Sequence, residues 1–224
     1  MEPSHLLGWL ARHYRVALVL AVLLYGFGLI ASEVVEGEPL AIDDAILTML
    51  REPGNPAEPI GPPQLQEAAR DVTALGSYAV LTLIVAAVAL SLLFMHQWRT
   101  AAFIVGAVVT GTMLSTALKG LFDRPRPDLT GIVAVFTSSF PSGHATVSAV
   151  AYLTLGACLA ETTGNRGLKA FYIGYAALLT AIVGVSRVYL GVHYPSDVAA
   201  GWAIGGAWAL VCWLVLGRWR RPRA

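Results

Sequence analysis

Charged side chains are scarce in this 224-residue chain. Only 13% of its residues are Asp, Glu, Lys or Arg and 56% are hydrophobic, a balance that excludes an ordinary soluble domain of this length. A bilayer core about 30 Å thick requires roughly 20 apolar residues in one helix, and the chain contains several runs of that kind. The composition therefore predicts a single membrane domain over residues 1–224.

Cysteine is almost lacking and the net charge is small. The two cysteines, Cys158 and Cys212, fall inside apolar runs, which favours buried side chains over a disulfide or a metal site. The formal net charge of +1 gives no reason to expect nucleic acid as a partner. The only polybasic stretch is the tail, residues 218–223, which is interpreted as a cytoplasmic anchor.

Six apolar segments are long enough to cross a membrane. They cover residues 16–35, 73–95, 100–119, 144–160, 170–187 and 197–216. Residues 3–14 are predicted to form a short N-terminal interfacial helix, although a plain extension of the first span fits the sequence equally well. The predicted fold class is an all-α integral membrane protein, a six-helix transmembrane bundle with its motif-bearing core in residues 100–216.

The distribution of charge predicts the orientation, because positive residues near spans are retained in the cytoplasm. One side of the bundle carries Arg12, Arg15, Arg99, Arg166, Lys169 and the tail arginines, against Glu2 and Glu161. The other side carries Glu33, Glu36, Glu38, Asp43, Asp44, Glu52, Glu58, Glu67 and Asp71. Both termini are therefore predicted to be cytoplasmic.

Residues 36–72, between the first two spans, are predicted to form an external loop. The stretch REPGNPAEPIGPP has too much proline and glycine for a long helix or a central strand. Residues 41–51 before it have helical spacing with apolar residues on one face. This helix is interpreted either as a lid over the bundle or as part of a solvated connector, and the connector is favoured.

Small residues recur within two of the spans. Gly106 and Gly111 lie in the third span, and Gly201 and Gly205 lie in the sixth. Small side chains let helix backbones approach closely in a membrane. We expect these positions to serve packing and not chemistry.

Ionisable residues stand at the ends of several spans, where a charge is costly unless it has a function. The third and fifth spans run outward and the fourth and sixth run inward, so five such residues come to the same outer surface. They are Lys119, His144, Arg187, His193 and Asp197. Basic side chains of this kind bind phosphate oxygens. Snorkelling to the headgroup layer is the alternative, but it explains two histidines and an aspartate poorly.

The segment FPSGH, residues 140–144, is predicted to open the fourth helix. Pro141 suits a first turn, and the backbone amides of Ser142 and Gly143 are expected to be free. An anion can then bind at the positive end of the helix dipole, because Gly143 has no side chain to obstruct it. Taken alone, Pro-Ser-Gly is also an ordinary turn and helix start.

The segment SRVYLGVHYPSD, residues 186–197, brings Arg187 and His193 between the fifth and sixth helices. Pro195 is predicted to begin the sixth helix, since the residue before a proline is biased away from helix. Asp197 would then point back to His193 and fix the tautomer that leaves one ring nitrogen free to attack phosphorus. Capping of its own helix is a second, compatible role for Asp197.

Together these segments resemble the motifs of the type 2 phosphatidic acid phosphatase (PAP2) superfamily, which includes bacterial membrane lipid phosphatases, glucose-6-phosphatase and vanadium haloperoxidases. The first motif, Lys, six residues and Arg-Pro, matches Lys119, Arg126 and Pro127. The second and third, Pro-Ser-Gly-His and Ser-Arg, five residues, His, three residues, Asp, match Pro141–His144 and Ser186, Arg187, His193 and Asp197. Within RPRP, the spacing selects Arg126 and leaves Arg124 without a role.

The resemblance implies a phosphohistidine mechanism. His193 is then the nucleophile, Asp197 orients it, and His144 is the general acid and later the base. The same resemblance implies that the phosphate is held by Lys119, Arg126, Ser142, Gly143 and Arg187. No metal and no cofactor is expected, since the sequence has no carboxylate cluster with magnesium-like spacing.

The implied substrate is a phosphomonoester or diphosphate on a membrane lipid, with the bilayer as the other partner, at the outer (periplasmic) side of a bacterial inner (plasma) membrane. Phosphatidate, phosphatidylglycerophosphate, lipid A phosphate and undecaprenyl diphosphate are the candidates, and the last two are favoured. A vanadate-dependent haloperoxidase-like enzyme is disfavoured by the six spans. An ion or solute transporter would place its ionisable residues near the bilayer midplane and not at one end.

Overall fold

A computed structural model describes residues 3–37, 40–127 and 138–219 of the chain. Within these ranges the helices are α1 Pro3–Glu36, α2 Ala41–Met49, α3 Pro63–Ala74, α4 Tyr78–Phe94, α5 Trp98–Leu121, α6 Gly143–Ala160, α7 Arg166–Tyr189 and α8 Pro195–Trp219. A short antiparallel hairpin, β1 Arg51–Glu52 and β2 Asn55–Pro59, separates α2 from α3. The prediction of an all-α integral membrane protein is confirmed.

Five of the described helices, α1, α5, α6, α7 and α8, are long and apolar enough to cross a membrane. A sixth crossing exists if α3 and α4, which are bent by 49°, are counted as one span. The predicted second span, residues 73–95, begins at the end of α3 and continues through the bend into α4. The side chain of Ser77 caps α4 by accepting a hydrogen bond from the Val80 amide at 3.3 Å.

The first helix, α1, runs without a break from Pro3 to Glu36. A separate interfacial helix over residues 3–14 is therefore not formed, and the alternative, an extension of the first span, describes the structure. Residues 9–25 contain neither proline nor glycine, so the backbone has no reason to end the helix there. Glu2, Glu38 and the tail arginines Arg220, Arg221 and Arg223 lie outside the described residues.

The central helix is α6, which is buried along most of its length and packs mainly against α7 and α8. The contact with α8 depends on two glycines. A Cβ atom at Gly201 would lie 2.8 Å from the Ser142 carbonyl oxygen, and one at Gly205 would lie 2.5 Å from the Thr146 carbonyl oxygen. Only residues without a side chain let the two backbones approach this closely, as predicted for these positions.

The other small residues divide into two cases. A Cβ at Gly111 would lie 2.8 Å from Val150, which confirms a packing role, whereas Gly106 faces open space and the same expectation is wrong there. Cys158 and Cys212 are buried thiols, as expected of small apolar side chains.

The predicted external loop, residues 36–72, is largely folded into α2, the hairpin and α3. Its proline- and glycine-rich stretch forms only the short hairpin, in agreement with the prediction. The solvated-connector interpretation of α2 is wrong, because Asp43 and Leu47 are 1% and 3% exposed and lie against the start of α8. The segment therefore covers this end of the bundle.

Candidate active site

The structure brings the predicted site residues to one end of the bundle. Lys119 is in the last turn of α5, His144 in the first turn of α6, Arg187 in the last turn of α7 and Asp197 in the first turn of α8. His144 lies within electrostatic range of Arg187, His193, Arg126 and Lys119. Alternating helix directions produce this cluster from residues that are distant in sequence.

Both ring nitrogens of His193 have partners. Nδ1 lies 3.3 Å from Oδ2 of Asp197, and Nε2 lies 3.2 Å from Nη1 of Arg126. Because a guanidinium group has only donors, Nε2 accepts and the ring proton lies on Nδ1, where it is donated to the carboxylate. Nε2 is therefore the ring nitrogen without a proton, as a nucleophile requires, and in this state its lone pair accepts from Arg126.

Asp197 is fully buried and accepts hydrogen bonds from backbone amides at the starts of two helices, α8 and α6. Its Oδ2 accepts from the Tyr194 amide at 3.0 Å, just before α8 begins at Pro195 as predicted. Its backbone carbonyl accepts from the Ser142 amide at 3.0 Å, which joins the starts of α6 and α8. The carboxylate that faces His193 is thus fixed by the backbone around it.

Burial lowers the pKa of His193 to about 4, although the hydrogen bond and charge of Asp197 oppose this shift. The positive charges of Arg126 and Arg187 lower it further. Burial also lowers the pKa of Arg126, and the charge of Asp197 works in the opposite direction. At neutral pH the imidazole of His193 is therefore uncharged.

The buried polar atoms near the cluster that have no hydrogen-bond partner in the described part of the chain include Oγ of Ser142 and Nε of Arg187. Arg187 is held from its other side, since its Nη1 donates to Oγ1 of Thr73 at 3.1 Å. Buried polar groups are normally paired, so two unpaired ones beside a cationic cluster indicate a place for an anionic ligand.

The start of α6 differs in two details from the prediction. The helix begins at Gly143 with Ser142 as its N-cap, so Pro141 precedes the first turn. The Ser142 amide is not free, because the start of α8 lies against it and provides the Asp197 carbonyl as an acceptor. Of the two residues, Ser142 therefore offers an anion its side chain, and Gly143 is the one placed to offer its amide.

A side chain at Gly143 would be crowded, and neighbouring side chains would have to shift by a few tenths of an ångström to admit it. A Cβ there would lie 3.2 Å from Oη of Tyr78, 3.3 Å from Cε of Lys119 and 3.9 Å from Oγ of Ser115. Ser115 is fully buried and its Oγ has no partner within the described residues. Sequence reasoning missed Tyr78 and Ser115, although Ser115 stands one helical turn before Lys119 on the same face.

Arg124, which had no predicted role, lies directly behind the Asp197 carboxylate. Its Nη1 donates to Oδ1 of Asp197 at 2.6 Å and to Oγ of Ser196 at 2.7 Å, and its Nη2 donates to Oδ2 of Asp43 at 2.8 Å. The guanidinium stacks 4.2 Å from the ring centre of Tyr194. Burial opposes its charge, but the two carboxylates outweigh burial and raise the pKa of Arg124.

A separate apolar cavity of about 980 Å³ lies between α1, α6, α7 and α8. It extends to Glu161 and Lys169, at the end of the bundle opposite the charged cluster. The indole of Trp202, which lines it, donates to the Thr180 carbonyl at 3.1 Å. None of the predicted site residues lines this cavity.

Cations, two histidines and a buried carboxylate gathered at one end of a helical membrane bundle are the residue types that hydrolysis of a phosphate ester requires. Residues 98–221 match the model of the PAP2 superfamily, and the chain belongs to this family. Membership of this family, together with relatives that are named phosphatases, identifies the chain as a phosphoric ester hydrolase.

Two relatives and one solved structure show the extent of the similarity. Phosphatidylglycerophosphatase B of Bacillus subtilis (strain 168) is 31% identical over 145 residues, 64% of this chain and 71% of that protein. Decaprenylphosphoryl-5-phosphoribose phosphatase of Mycobacterium tuberculosis (strain ATCC 25618 / H37Rv) is 36% identical over 132 residues, 57% of this chain and 66% of that protein, so this chain spans just under two thirds of its length. The crystal structure of a transmembrane PAP2 type phosphatidylglycerolphosphate phosphatase from Bacillus subtilis matches with a TM-score of 0.76 and 23% identity, over 94% of this chain and 100% of that one, which supports the fold.

Proposed function

We propose that this chain is a metal-independent phosphatase that hydrolyses a phosphomonoester or diphosphate on a membrane lipid through a phosphohistidine intermediate. The observation that carries the proposal is the paired state of His193, with Nδ1 donating to Asp197 and Nε2 facing Arg126. This arrangement supplies a nucleophilic nitrogen at the position where a cation can hold the phosphate.

In the first step, Nε2 of His193 attacks phosphorus. A phosphorus–nitrogen bond forms as the phosphorus–oxygen bond to the lipid breaks. Asp197 accepts the hydrogen bond from Nδ1 and stabilises the positive charge that develops on the ring. His144 donates a proton to the departing oxygen, so the lipid leaves as an alcohol or, from a diphosphate, as a monophosphate.

In the second step, water attacks phosphorus and the phosphorus–nitrogen bond breaks. His144, which lost its proton in the first step, accepts one from the water. Inorganic phosphate leaves, and His193 returns to its neutral form. The cycle balances without a metal or a redox cofactor.

Five residues are proposed to hold the phosphate. They are Lys119, Arg126, Arg187, Ser142 and Gly143. The guanidinium groups offer paired donors to equatorial oxygens, and lysine adds a compact charge. The unpaired Oγ of Ser142 and Nε of Arg187 support this assignment, since both are buried and lack another partner among the described residues.

A lipid substrate is supported by the position of the cluster at the ends of the spanning helices, which is level with lipid headgroups. The relatives are named for phosphatidylglycerophosphate and decaprenylphosphoryl-5-phosphoribose. Their names support lipid phosphate esters as the substrate class. We further propose that the site opens to the outer side of a bacterial inner membrane and that both termini are cytoplasmic, as the distribution of basic residues predicts.

The function is tested by phosphate release from the purified protein in detergent with EDTA present. The lipid panel is phosphatidate, phosphatidylglycerophosphate, lipid A, undecaprenyl diphosphate and decaprenylphosphoryl-5-phosphoribose. We expect wild-type protein to release phosphate from at least one of them and His193→Ala to release none. Full activity of His193→Ala would disprove the mechanism, and a wild-type protein inactive on every lipid would disprove the substrate class.

A further inference from the structure

A row of alternating charges leads from the external segment to the nucleophile. Asp43, on α2, contacts Arg124, which contacts Oδ1 of Asp197, whose Oδ2 faces Nδ1 of His193. Asp43 and Asp197 are 1% and 0% exposed. Solvent therefore does little to screen these charges from one another.

Arg124 is not placed as a phosphate ligand. Three hydrogen bonds commit its two terminal nitrogens to Asp197, Ser196 and Asp43, and the ring of Tyr194 covers one of its faces. The guanidinium fork therefore acts on the catalytic carboxylate from the side away from His193.

Asp43 completes the arrangement in two ways. Its negative charge offsets the positive charge of Arg124, so that Asp197 is not the sole anion that this guanidinium neutralises. Its Oδ1 also accepts from the Ser196 amide at 2.8 Å, and its Oδ2 accepts from the Ser196 hydroxyl. These bonds fix the first turn of α8, the turn that carries Asp197.

We infer that Arg124 and Asp43 form a positioning pair for the nucleophile, in which Arg124 holds the Asp197 carboxylate against His193 and Asp43 fixes Arg124 together with the first turn of α8. The pair acts through Asp197 and does not touch the phosphate. The inference rests on the proposed function, because it assigns a role relative to His193 as nucleophile. It makes the external segment a structural part of the active site.

The test is a double-mutant cycle with Asp43→Asn, Arg124→Gln and the double variant, assayed on the lipid that the wild-type protein hydrolyses fastest. Each single change is expected to lower kcat by about tenfold to a hundredfold, because a small displacement of a catalytic group has effects of this size. KM and the inhibition constant of inorganic phosphate should stay within about threefold, since phosphate binding is unaffected. In the Arg124→Gln background, Asp43→Asn should have a smaller further effect than in the wild-type background, because only the contacts of Asp43 with Ser196 remain to be changed.

The control for Asp43→Asn is Asp44→Asn, which removes the same charge from the next, exposed position of the same helix. It should retain wild-type kcat. Asp43→Glu, which keeps the carboxylate, should recover part of the activity lost in Asp43→Asn. If Arg124→Gln does not fold, Arg124→Lys replaces it in the cycle, because lysine keeps the charge but not the fork.

The pH profile separates positioning from mere structural support. Without Arg124, the charge of Asp197 beside His193 is uncompensated and favours the imidazolium form, so the acid limb of kcat/KM should move to higher pH than in the wild type. The other charged or titratable groups near His193 are Arg126, Arg187 and His144, and both proteins contain them. The substrate titrates in the same way in assays of the wild-type protein and of Arg124→Gln, so it does not contribute to a difference between their profiles.

The inference is overturned if Asp43→Asn matches Asp44→Asn in kcat while wild-type protein is active and His193→Ala is not. It is also overturned if the loss appears only in KM, or if the acid limb of Arg124→Gln does not move. A wild-type protein without activity refutes the proposed function instead, so the two failures are distinguishable.

Discussion

His193 has an unusual combination of burial and charged neighbours for a residue that stays neutral. Its pKa of about 4 in the folded protein lies below the ordinary value of 6.5, chiefly because of burial. The unfolded chain therefore binds a proton more readily, and the stability contributed by neutral His193 is lost progressively as pH falls from 6.5 to about 4. We expect the Tm of wild-type protein in detergent to fall more over this interval than that of His193→Asn. Parallel curves for the two proteins would contradict the assignment of the shift to His193.

Arg126 is the second residue on which the mechanism depends. Its Nη1 donates to the Val192 carbonyl at 3.0 Å and lies 3.2 Å from Nε2 of His193, which fixes the guanidinium beside the proposed nucleophile. Arg126→Lys keeps the charge but loses the fork, so kcat/KM should fall by about a hundredfold. Arg99→Lys is the control, because Arg99 is exposed near the opposite end of α5. Equal activity of the two variants would count against phosphate binding by Arg126.

At the scale of single residues, the sequence located the motif residues but not the residues that hold them in place, Asp43 and Arg124. Lys119 and Asp197 were selected as ionisable residues at span ends, where helix direction predicted that they meet, and the motif spacing of the family that the chain resembles selected Arg126. Asp43 was counted among the charges of the external loop, although it stands four residues before Leu47, on the buried face of α2. A carboxylate on an apolar helix face needs a buried partner, and this was the signal for Asp43. The identity of the partner, Arg124, depends on tertiary contacts that the sequence does not contain.

At the scale of elements, the contact between α6 and α8 holds the two helix starts together. A methyl group at Gly205 would lie 2.5 Å from the Thr146 carbonyl oxygen, so Gly205→Ala must push the helices apart. We expect Gly205→Ala to lower the Tm in detergent by several degrees and to reduce activity. Gly106→Ala is the matched control, since no atom lies within 4 Å of the added methyl group. A similar Tm for both variants would show that this close approach does not determine stability.

The bend between α3 and α4 was not predicted from the sequence. The prediction placed one span at residues 73–95, and these residues include the end of α3, the bend and all of α4. A Cβ at Gly76, in the turn, would lie 2.4 Å from Val183 of α7 and 3.4 Å from His144 of α6. The turn therefore depends on contacts with two other helices, and local pattern cannot supply them. As a result, the backbone of the turn at Gly76 lies close to the side chain of His144.

At the scale of the whole molecule, the fold followed from little more than length and apolar runs. Each run of about 20 residues became a helix, because a bilayer leaves the backbone no other way to pair its polar groups. Alternating directions then placed the motif-bearing ends together. That residues 1–224 form a single domain stays a prediction.

The proposed orientation can be tested with single cysteines and a membrane-impermeant thiol reagent on intact bacterial cells. Glu58→Cys, exposed on β2, should be labelled from outside, whereas Arg166→Cys, exposed at the start of α7, should be labelled only after the membrane is permeabilised. The unsubstituted protein measures the background from Cys158 and Cys212, which are buried. The reverse labelling pattern would place the active site in the cytoplasm.

The covalent intermediate at His193 is tested most directly by stereochemistry at phosphorus. A lipid phosphorothioate made chiral with oxygen isotopes is hydrolysed by the wild-type protein, and the configuration of the released thiophosphate is determined. Two successive in-line displacements, by His193 and then by water, predict net retention of configuration. Net inversion would mean that water attacks the lipid phosphate directly, and it would contradict the phosphohistidine mechanism.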